Sequence, residues 1–333
     1  MNRLLEVRYD LTYLDKIRRH DISELSALIV AYRRSTNLKS IIQACLDSNI
    51  EHIYIAIDGS VDVTSLNDVN NCINVANVFM SKYPSQVFTK ISKSNLGAAV
   101  SVLSACEWVF SQEEFAVIIE DDCLPSKDFF LWVRDSEKFL INNSNVYLIS
   151  GNQFAPAKIV GNRPSLSKYP LTWGWATSKS KWKTMASGIN GLKNKKWNFN
   201  ISYVEYCYWR SGARRSHEGY IDAWDIPLAF VFQQIGAKSM LPSNNLVSNI
   251  GGDAHATHTF KNSKWLNFPI QNYVEYSGEP RENEELDYWY KEEVFVIKFR
   301  HIFSTKISWG LDRLRLRKKV RANLLDRIKL EVK

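Results

Sequence analysis

The sequence predicts an α/β fold, a mostly parallel central sheet with helices packed on its faces. Two patterns and one bulk property predict it. Short apolar runs, such as Leu25 to Ala31 and Ile53 to Ile57, alternate with segments whose apolar residues recur at helical period. These runs end in polar loops, as strands do when a ligand site lies at the carboxyl edge of a parallel sheet. A chain of 333 residues with 45% hydrophobic content is enough for one large core.

The elements follow in order. Residues 1–23 read as a charged helical lead-in. Leu25 to Ala31 is the first strand, and Tyr32-Arg33-Arg34 the loop after it. Ser35 or Thr36 is the expected helix N-cap, because Leu38, Ile41, Ile42, Cys45 and Leu46 then fall on one helical face. Ile53 to Ile57 is the second strand and stops at Asp58-Gly59-Ser60. A polar helix from Ser65 to Tyr83, a strand from Val87 to Ile91 and a small-residue helix from Ala98 to Trp108 come next. The last of these opens on the loop Ser94-Asn95-Leu96-Gly97. Phe115 to Ile119 is a strand, Asp128 to Leu140 a helix and Val146 to Ser150 a strand.

The second half is less regular. Asn152 to Lys168 reads as loop, and Trp173-Gly174-Trp175-Ala176-Thr177 as a strand whose glycine admits close backbone approach. Helices are expected over Tyr203 to Ser211 and Ile221 to Ile235. Pro242, Asn244, Asn245, Gly251 and Gly252 mark loops. The expected organisation is a lead-in (1–23), one α/β domain (24–290, divided near 150 into a ligand-binding and a second half) and a C-terminal tail (291–333).

One tripeptide dominates the chemistry. Glu120-Asp121-Asp122 closes the apolar run Phe115 to Ile119. Three acids at the end of a buried strand are costly unless positive charge meets them. Carboxylate oxygens suit Mg²⁺ or Mn²⁺, which pairs readily with substrate phosphates. A plain alternative is an acidic start to the following helix. If the sheet is parallel, Tyr32, Arg33, Asp58, Asn95, Gly97 and the three acids gather at one edge. Asp58 could then hold a base imide or a ribose hydroxyl, or serve only as a turn aspartate.

Bulk properties exclude several classes. Five cysteines are scattered without a CxxC pair, which argues for a reducing compartment and against a disulfide framework or zinc site. No stretch approaches the roughly 20 apolar residues of a membrane span, so a cytoplasmic protein is expected. From Lys298 to Lys333 there are 12 Lys and Arg against three acids, while the whole chain carries +8. The body is therefore near neutral and the tail basic, which disfavours a nucleic-acid partner. In the tail, Leu316, Val320, Leu324 and Ile328 recur every four residues among Arg and Lys. That is a basic amphipathic helix suited either to an anionic membrane surface, at the inner face of the cytoplasmic membrane, or to packing against a partner.

These motifs together resemble the GT-A superfamily of nucleotide-sugar glycosyltransferases. Ala31-Tyr32-Arg33-Arg34, Asp58-Gly59-Ser60 and Asn95-Leu96-Gly97 look like its donor loops. Glu120-Asp121-Asp122 with Pro125 and Asp128-Phe129-Phe130 resembles the acidic metal motif of N-acetylglucosaminyltransferase I-like enzymes. Trp173-Gly174-Trp175-Ala176-Thr177, Asp222-Ala223-Trp224-Asp225 and Asn249-Ile250-Gly251-Gly252-Asp253, leading to Ala256-Thr257-His258, are similar to a bacterial, family 2-like branch.

The resemblance implies a metal-dependent, inverting transfer from a nucleotide-diphosphate sugar, UDP-linked by expectation. The acceptor implied is a glycan or lipid-linked glycan of a cell-surface polysaccharide. It implies Asp122 as direct ligand of Mn²⁺ or Mg²⁺, with Glu120 and Asp121 on the ribose or sugar, or orienting the site. His258 is a further candidate on the diphosphate or metal. The family's general base lies just before a tryptophan. Asp222 and Asp225 flank Trp224, but Ala223 stands where the family has its acid, and Asp222 is the first choice. Trp173, Gly174 and Trp175 are expected on the acceptor side, with core packing the alternative for the two indoles. Two rivals stand beside this reading. A sugar-phosphate nucleotidyltransferase should carry a Gly-rich loop after the first strand, where Ala31-Tyr32-Arg33-Arg34-Ser35 has no glycine. A non-catalytic nucleotide- or glycan-binding module would tolerate loss of Asp222 and Asp225.

Overall fold

The computed structural model describes residues 24–192, 201–252, 264–299 and 302. The expected lead-in helix, His258 and nearly all of the basic tail lie outside these residues. Among the described residues, no helix is long and apolar enough to cross a membrane.

The first half follows the predicted alternation. It runs β1 (Ser26–Ala31), α1 (Ser35–Asp47), β2 (His52–Ile57), α2 (Val63–Lys82), β3 (Val87–Ile91), α3 (Ala98–Gln112) and β4 (Phe115–Glu120). A short β5 (Cys123–Pro125) follows, then α4 (Lys127–Asn142) and β6 (Val146–Ser150). Strands β1, β2, β3 and β4 are mutually parallel in the order β4-β1-β2-β3. The register sets Ala31 opposite Ile57, Ile57 opposite Ile91, and Val30 opposite Glu120. Four carboxyl ends therefore lie level, and the loops after them share one edge.

Both faces of these strands are covered, so they read as continuous apolar runs. Ala27, Ile29, Ile53, Ile55, Val117 and Ile119 point into a core with α1, α2 and α4. Their neighbours Leu28, Val30, Tyr54, Ala56, Ala116 and Ile118 point to the other face, into a core with α3. Helix α1 buries Leu38, Ile41, Ile42 and Cys45 as its spacing predicts. Its cap differs from expectation: Arg34 holds the N-cap position, and no side chain caps the helix.

Most strands of the second half extend the same sheet. It contains α5 (Ala157–Val160), β7 (Ser165–Ser167), β8 (Trp175–Ser178), α6 (Lys179–Asn190), α7 (Tyr203–His217) and α8 (Asp225–Ile235). Then come β9 (Lys238–Leu241), β10 (Val247–Asn249), β11 (Arg281–Glu282) and α9 (Glu284–Trp289). Strand β8 inserts antiparallel between β4 and β6, giving the order β11-β7-β9-β6-β8-β4-β1-β2-β3. The region from Asn152 to Lys168, expected as loop, holds α5 and the edge-side strand β7. Helix α6 was not expected, although Trp182, Met185 and Ile189 repeat at helical spacing and are buried.

Two features bring distant segments to the carboxyl edge. Strand β10 pairs antiparallel with β5, setting Asn249 opposite Cys123 beside the three acids. The chain between α7 and α8 also folds back on itself. Tyr220 N–H donates to Arg215 O at 2.8 Å, and Ser216 Oγ–H donates to Ala223 O. Helix α8 therefore begins at Asp225 and not at Ile221, and Asp222 stays in the loop.

Candidate active site

A cavity of about 440 Å³ opens at the level carboxyl ends of β1, β2 and β4. That is within the size range of small-molecule sites. Its wall contains Ala31, Tyr32, Arg33, Asp58, Asn95, Gly97, Glu120, Asp121, Asp122, Trp173, Asp222 and Asp225, all expected from the sequence. Arg34 and Asn249, expected only as members of a loop and a motif, line it as well, as do Ser101 and Thr172, which were not expected.

Asp58 is 4% exposed and already fully used as an acceptor. Oδ1 accepts the amides of Gly59 and Leu96, both at 2.8 Å. Oδ2 accepts Asn95 Nδ2 at 3.0 Å and the Gly97 amide at 3.1 Å. A carboxylate offers about four acceptor positions, so these four donors fill it. Asp58 thus ties the β2 loop to the β3 loop and has no acceptor left for a base imide or ribose hydroxyl, which corrects the role expected for it. Burial pushes its pKa up to about 6 against the pull of the three amides, and the Asp222 charge adds to the rise.

Asp222 belongs to the same lock. Its Oδ2 accepts the Ala98 amide and its Oδ1 the Ala99 amide, each at 2.9 Å. It therefore caps α3, whose first amides carry partial positive charge. Gly97 makes room for it: its φ is +84°, and a Cβ there would sit 2.6 Å from Asp222 Oδ2. An acid at the start of a helix is thus right for Asp222, but the helix is α3 and not its own.

Asp225 occupies a different environment. It is exposed and sits in the first turn of α8, on the cavity wall. Trp224, 4% exposed, separates the two acids. Its ring stacks on Trp175 at 5.5 Å and 27°, and its Nε1–H donates to Glu120 Oε1 at 3.3 Å. Trp175 is itself 0% exposed and absent from the cavity wall. It packs in the core, which corrects its expected place on the acceptor side. Gly174 is buried too, with φ +77°, and a Cβ on it would lie 2.8 Å from Val247 Cγ2. Its role is close packing of strand segments. Trp173 alone of the three reaches the cavity, with its ring edge-on to Phe154.

The three acids divide their contacts. Asp121 is buried, and accepts the Tyr32 amide at 2.8 Å and Arg34 Nη1 at 2.7 Å. Arg34 also stands 3.8 Å from Asp122 Oδ2. Arg33, its neighbour, is held instead on Asp68, with Nη2 to Oδ2 at 2.8 Å. Burial raises the pKa of Asp121, and Arg34 opposes the rise. Glu120 is raised well above the ordinary carboxylate range by burial and by the charges of Asp122, Asp225 and Asp121. Four carboxylates thus converge on this end of the cavity.

Asp122 is more exposed than Asp121 beside it. Its side chain is 20% exposed, and its nearest donor other than Arg34 is the weak Cys123 Sγ–H at 3.2 Å. Backbone from β10 passes tightly over it: Ile250 N–H donates to Asp122 O at 2.7 Å. A Cβ on Gly251 would lie 2.5 Å from Asp122 Cβ. Among the described residues, no three His, Cys, Asp or Glu side chains form a complete metal cage. An accessible carboxylate in an acid-rich cavity does fit a hard divalent cation that takes its remaining ligands from a substrate and water.

No protein-family model matches the chain, and no curated protein matches it. Among solved structures, the fold is similar to the mannosyltransferase PcManGT from Pyrobaculum calidifontis, solved in complex with GDP-Man and Mn²⁺. The identity is 11% and the TM-score 0.40, over 70% of this chain and 61% of that one. It is also similar to S. aureus TarS, with 11% identity and TM-score 0.37 over 67% of this chain and 59% of that one. A putative glucose-1-phosphate thymidylyltransferase from Bacillus anthracis overlaps 51% of this chain and 76% of its own, with 14% identity and TM-score 0.31. The chain thus spans about three-fifths of the first two structures.

Proposed function

We propose that this protein is a metal-dependent glycosyltransferase that moves a sugar from a nucleotide-diphosphate donor to a hydroxyl acceptor. The observation that carries the reading is the shared cavity lined by accessible Asp122 and exposed Asp225, whose chain neighbours Glu120 and Trp224 are joined by a hydrogen bond. A transferase needs one carboxylate on the departing diphosphate side and another at the cavity wall to take a proton.

In this reading the nucleotide lies against Tyr32, Arg33 and the loops locked by Asp58. Asp122 would hold Mn²⁺ or Mg²⁺ together with the diphosphate, and Asp121 is kept in place by Arg34 and the Tyr32 amide. The cation, when bound, neutralises charge that builds on the leaving diphosphate. Asp225 is the general base. The acceptor oxygen attacks the anomeric carbon as its proton passes to the Asp225 carboxylate, and the bond to the diphosphate oxygen breaks with its electron pair leaving on the diphosphate. Such a single displacement inverts the anomeric centre. Asp222 is a positioning residue, because both of its oxygens hold the start of α3. Trp173 lines the acceptor side. A UDP-linked donor and a glycan or lipid-linked glycan acceptor remain the substrates proposed from the sequence motifs. So does contact of the basic tail with an anionic membrane surface. The loop Ala31 to Ser35, without glycine, favours this reading over a nucleotidyltransferase.

The test is calorimetric titration of UDP, GDP and their sugars into the full chain with Mn²⁺. Binding that requires the metal, and that Asp122→Ala loses while keeping its fold, is expected. Metal-independent binding that survives Asp122→Ala would refute the assignment.

A further inference from the structure

The motif Asn249-Ile250-Gly251-Gly252 is not used by the mechanism above, yet its first residue faces the cavity. Asn249 is 1% exposed. Its Oδ1 accepts the Gly251 amide at 2.9 Å, which fixes the orientation of the side-chain amide. Nδ2 then points elsewhere, and it has no hydrogen-bond partner among the described residues. Leaving such a donor buried and unpaired costs about 1–3 kcal/mol. A donor of this kind in a cavity wall is a recognition group waiting for an acceptor atom.

Position says which atom. Through β5, Asn249 stands opposite Cys123, next to Asp122. On its other side, β10 packs against the strand segment of Trp173 and Gly174, since a Cβ on Gly174 would touch Val247. Asn249 therefore stands beside the diphosphate carboxylate, on the strand that also packs against the segment of Trp173. We infer that Asn249 is a specificity-determining residue whose Nδ2–H donates to an oxygen of the transferred sugar. The inference rests on the nucleotide-sugar reading and adds to it the residue that reads the sugar. A site that hydrogen-bonds a substrate oxygen discriminates strongly against ligands lacking it.

Asn249→Ser and Asn249→Thr test this. Each keeps a side-chain oxygen able to accept the Gly251 amide, and each removes the Nδ2 donor. Calorimetry with Mn²⁺ compares two ligands on the full chain: the nucleotide sugar that the wild type binds most tightly, and the matching nucleotide diphosphate. Thermal unfolding reports the fold. The expected result is nucleotide-sugar affinity reduced by a factor of about 5–30, with nucleotide-diphosphate affinity unchanged. Equal loss for both ligands would put the donor on the diphosphate and overturn the inference. Unchanged affinity for both, or unfolding of both variants, would assign Asn249 to loop architecture and also overturn it. A wild type that binds no nucleotide would remove the underlying reading itself, an outcome distinct from the other three.

Discussion

Asp222 Oδ1 accepts the Ala99 amide at 2.9 Å across a sequence separation of 123 residues. With the matching bond to Ala98, it welds the loop before α8 to the first turn of α3. Those bonds are why Asp225 is proposed as the base in place of Asp222, the first choice from the sequence. Asp225→Asn should lower kcat by about 10²–10⁴, the usual contribution of a general base, with KM for the donor little changed. Asp222→Asn keeps one acceptor and turns the other position into a donor facing an amide. It should lower thermal stability and raise the donor KM, while kcat stays within about tenfold of wild type, far from the loss of a base. Steady-state kinetics on both variants decides, and a larger kcat loss in Asp222→Asn would restore it as the base.

Arg34 and Asp121 form a largely buried pair at 2.7 Å, with side chains 13% and 7% exposed. Removing one partner strands the other charge. Arg34→Met should destabilise the fold by about 3–5 kcal/mol, measured by denaturant unfolding at neutral pH. Arg33→Met, which breaks only the more exposed pair with Asp68, should cost about 1 kcal/mol or less. Equal losses would show that the two arginines are interchangeable.

Asp58 has a folded-state pKa of about 6, raised from 3.8 chiefly by burial. Between these values the folded state binds more protons than the unfolded one, so stability falls as pH rises through this window and is level above it. Asp58→Asn does not titrate. The stability of wild type relative to Asp58→Asn should therefore decline by on the order of 2–3 kcal/mol from pH 4 to pH 7. Denaturant midpoints of both proteins across that range check this, and a difference independent of pH would contradict it.

Gly251 passes so close to Asp122 that a Cβ would lie 2.5 Å from its Cβ. Gly251→Ala should displace the Asp122 carboxylate and weaken Mn²⁺-dependent nucleotide binding by more than about tenfold, roughly 1.4 kcal/mol. Gly236→Ala is the control: nothing lies within 4 Å of a Cβ there, although its φ is +68°. That variant should lose some stability but no affinity. Calorimetry with circular dichroism separates the two effects.

The carboxyl-edge site was largely legible in the sequence because parallel strands buried on both faces announce themselves as apolar runs. Their level ends then follow from the register of Ala31, Ile57 and Ile91. What stayed hidden depends on contacts made across the chain. Arg33 and Arg34 are adjacent and alike, and only the fold sends one to Asp68 and the other to Asp121. Trp173 and Trp175, two residues apart, would share one face of a regular strand, but Gly174 between them has φ +77° and β8 begins only at Trp175, so one indole reaches the cavity and the other the core. Asn249 was visible within a motif, yet its unpaired donor appears only once Gly251 has claimed its Oδ1. Helix α6 was the avoidable miss, since Trp182, Met185 and Ile189 carried the period.

Metal-dependent transfer from a nucleotide sugar, proposed for Asp122 and Asp225, can be read out in solution. Its most direct test is release of nucleoside diphosphate from a panel of UDP and GDP sugars, with Mn²⁺ and with a chelator. Release from at least one donor is expected, abolished by the chelator and by Asp122→Ala and strongly reduced in Asp225→Asn. Turnover that persists in the chelator, or pyrophosphate release from a nucleoside triphosphate and a sugar phosphate in its place, would contradict it.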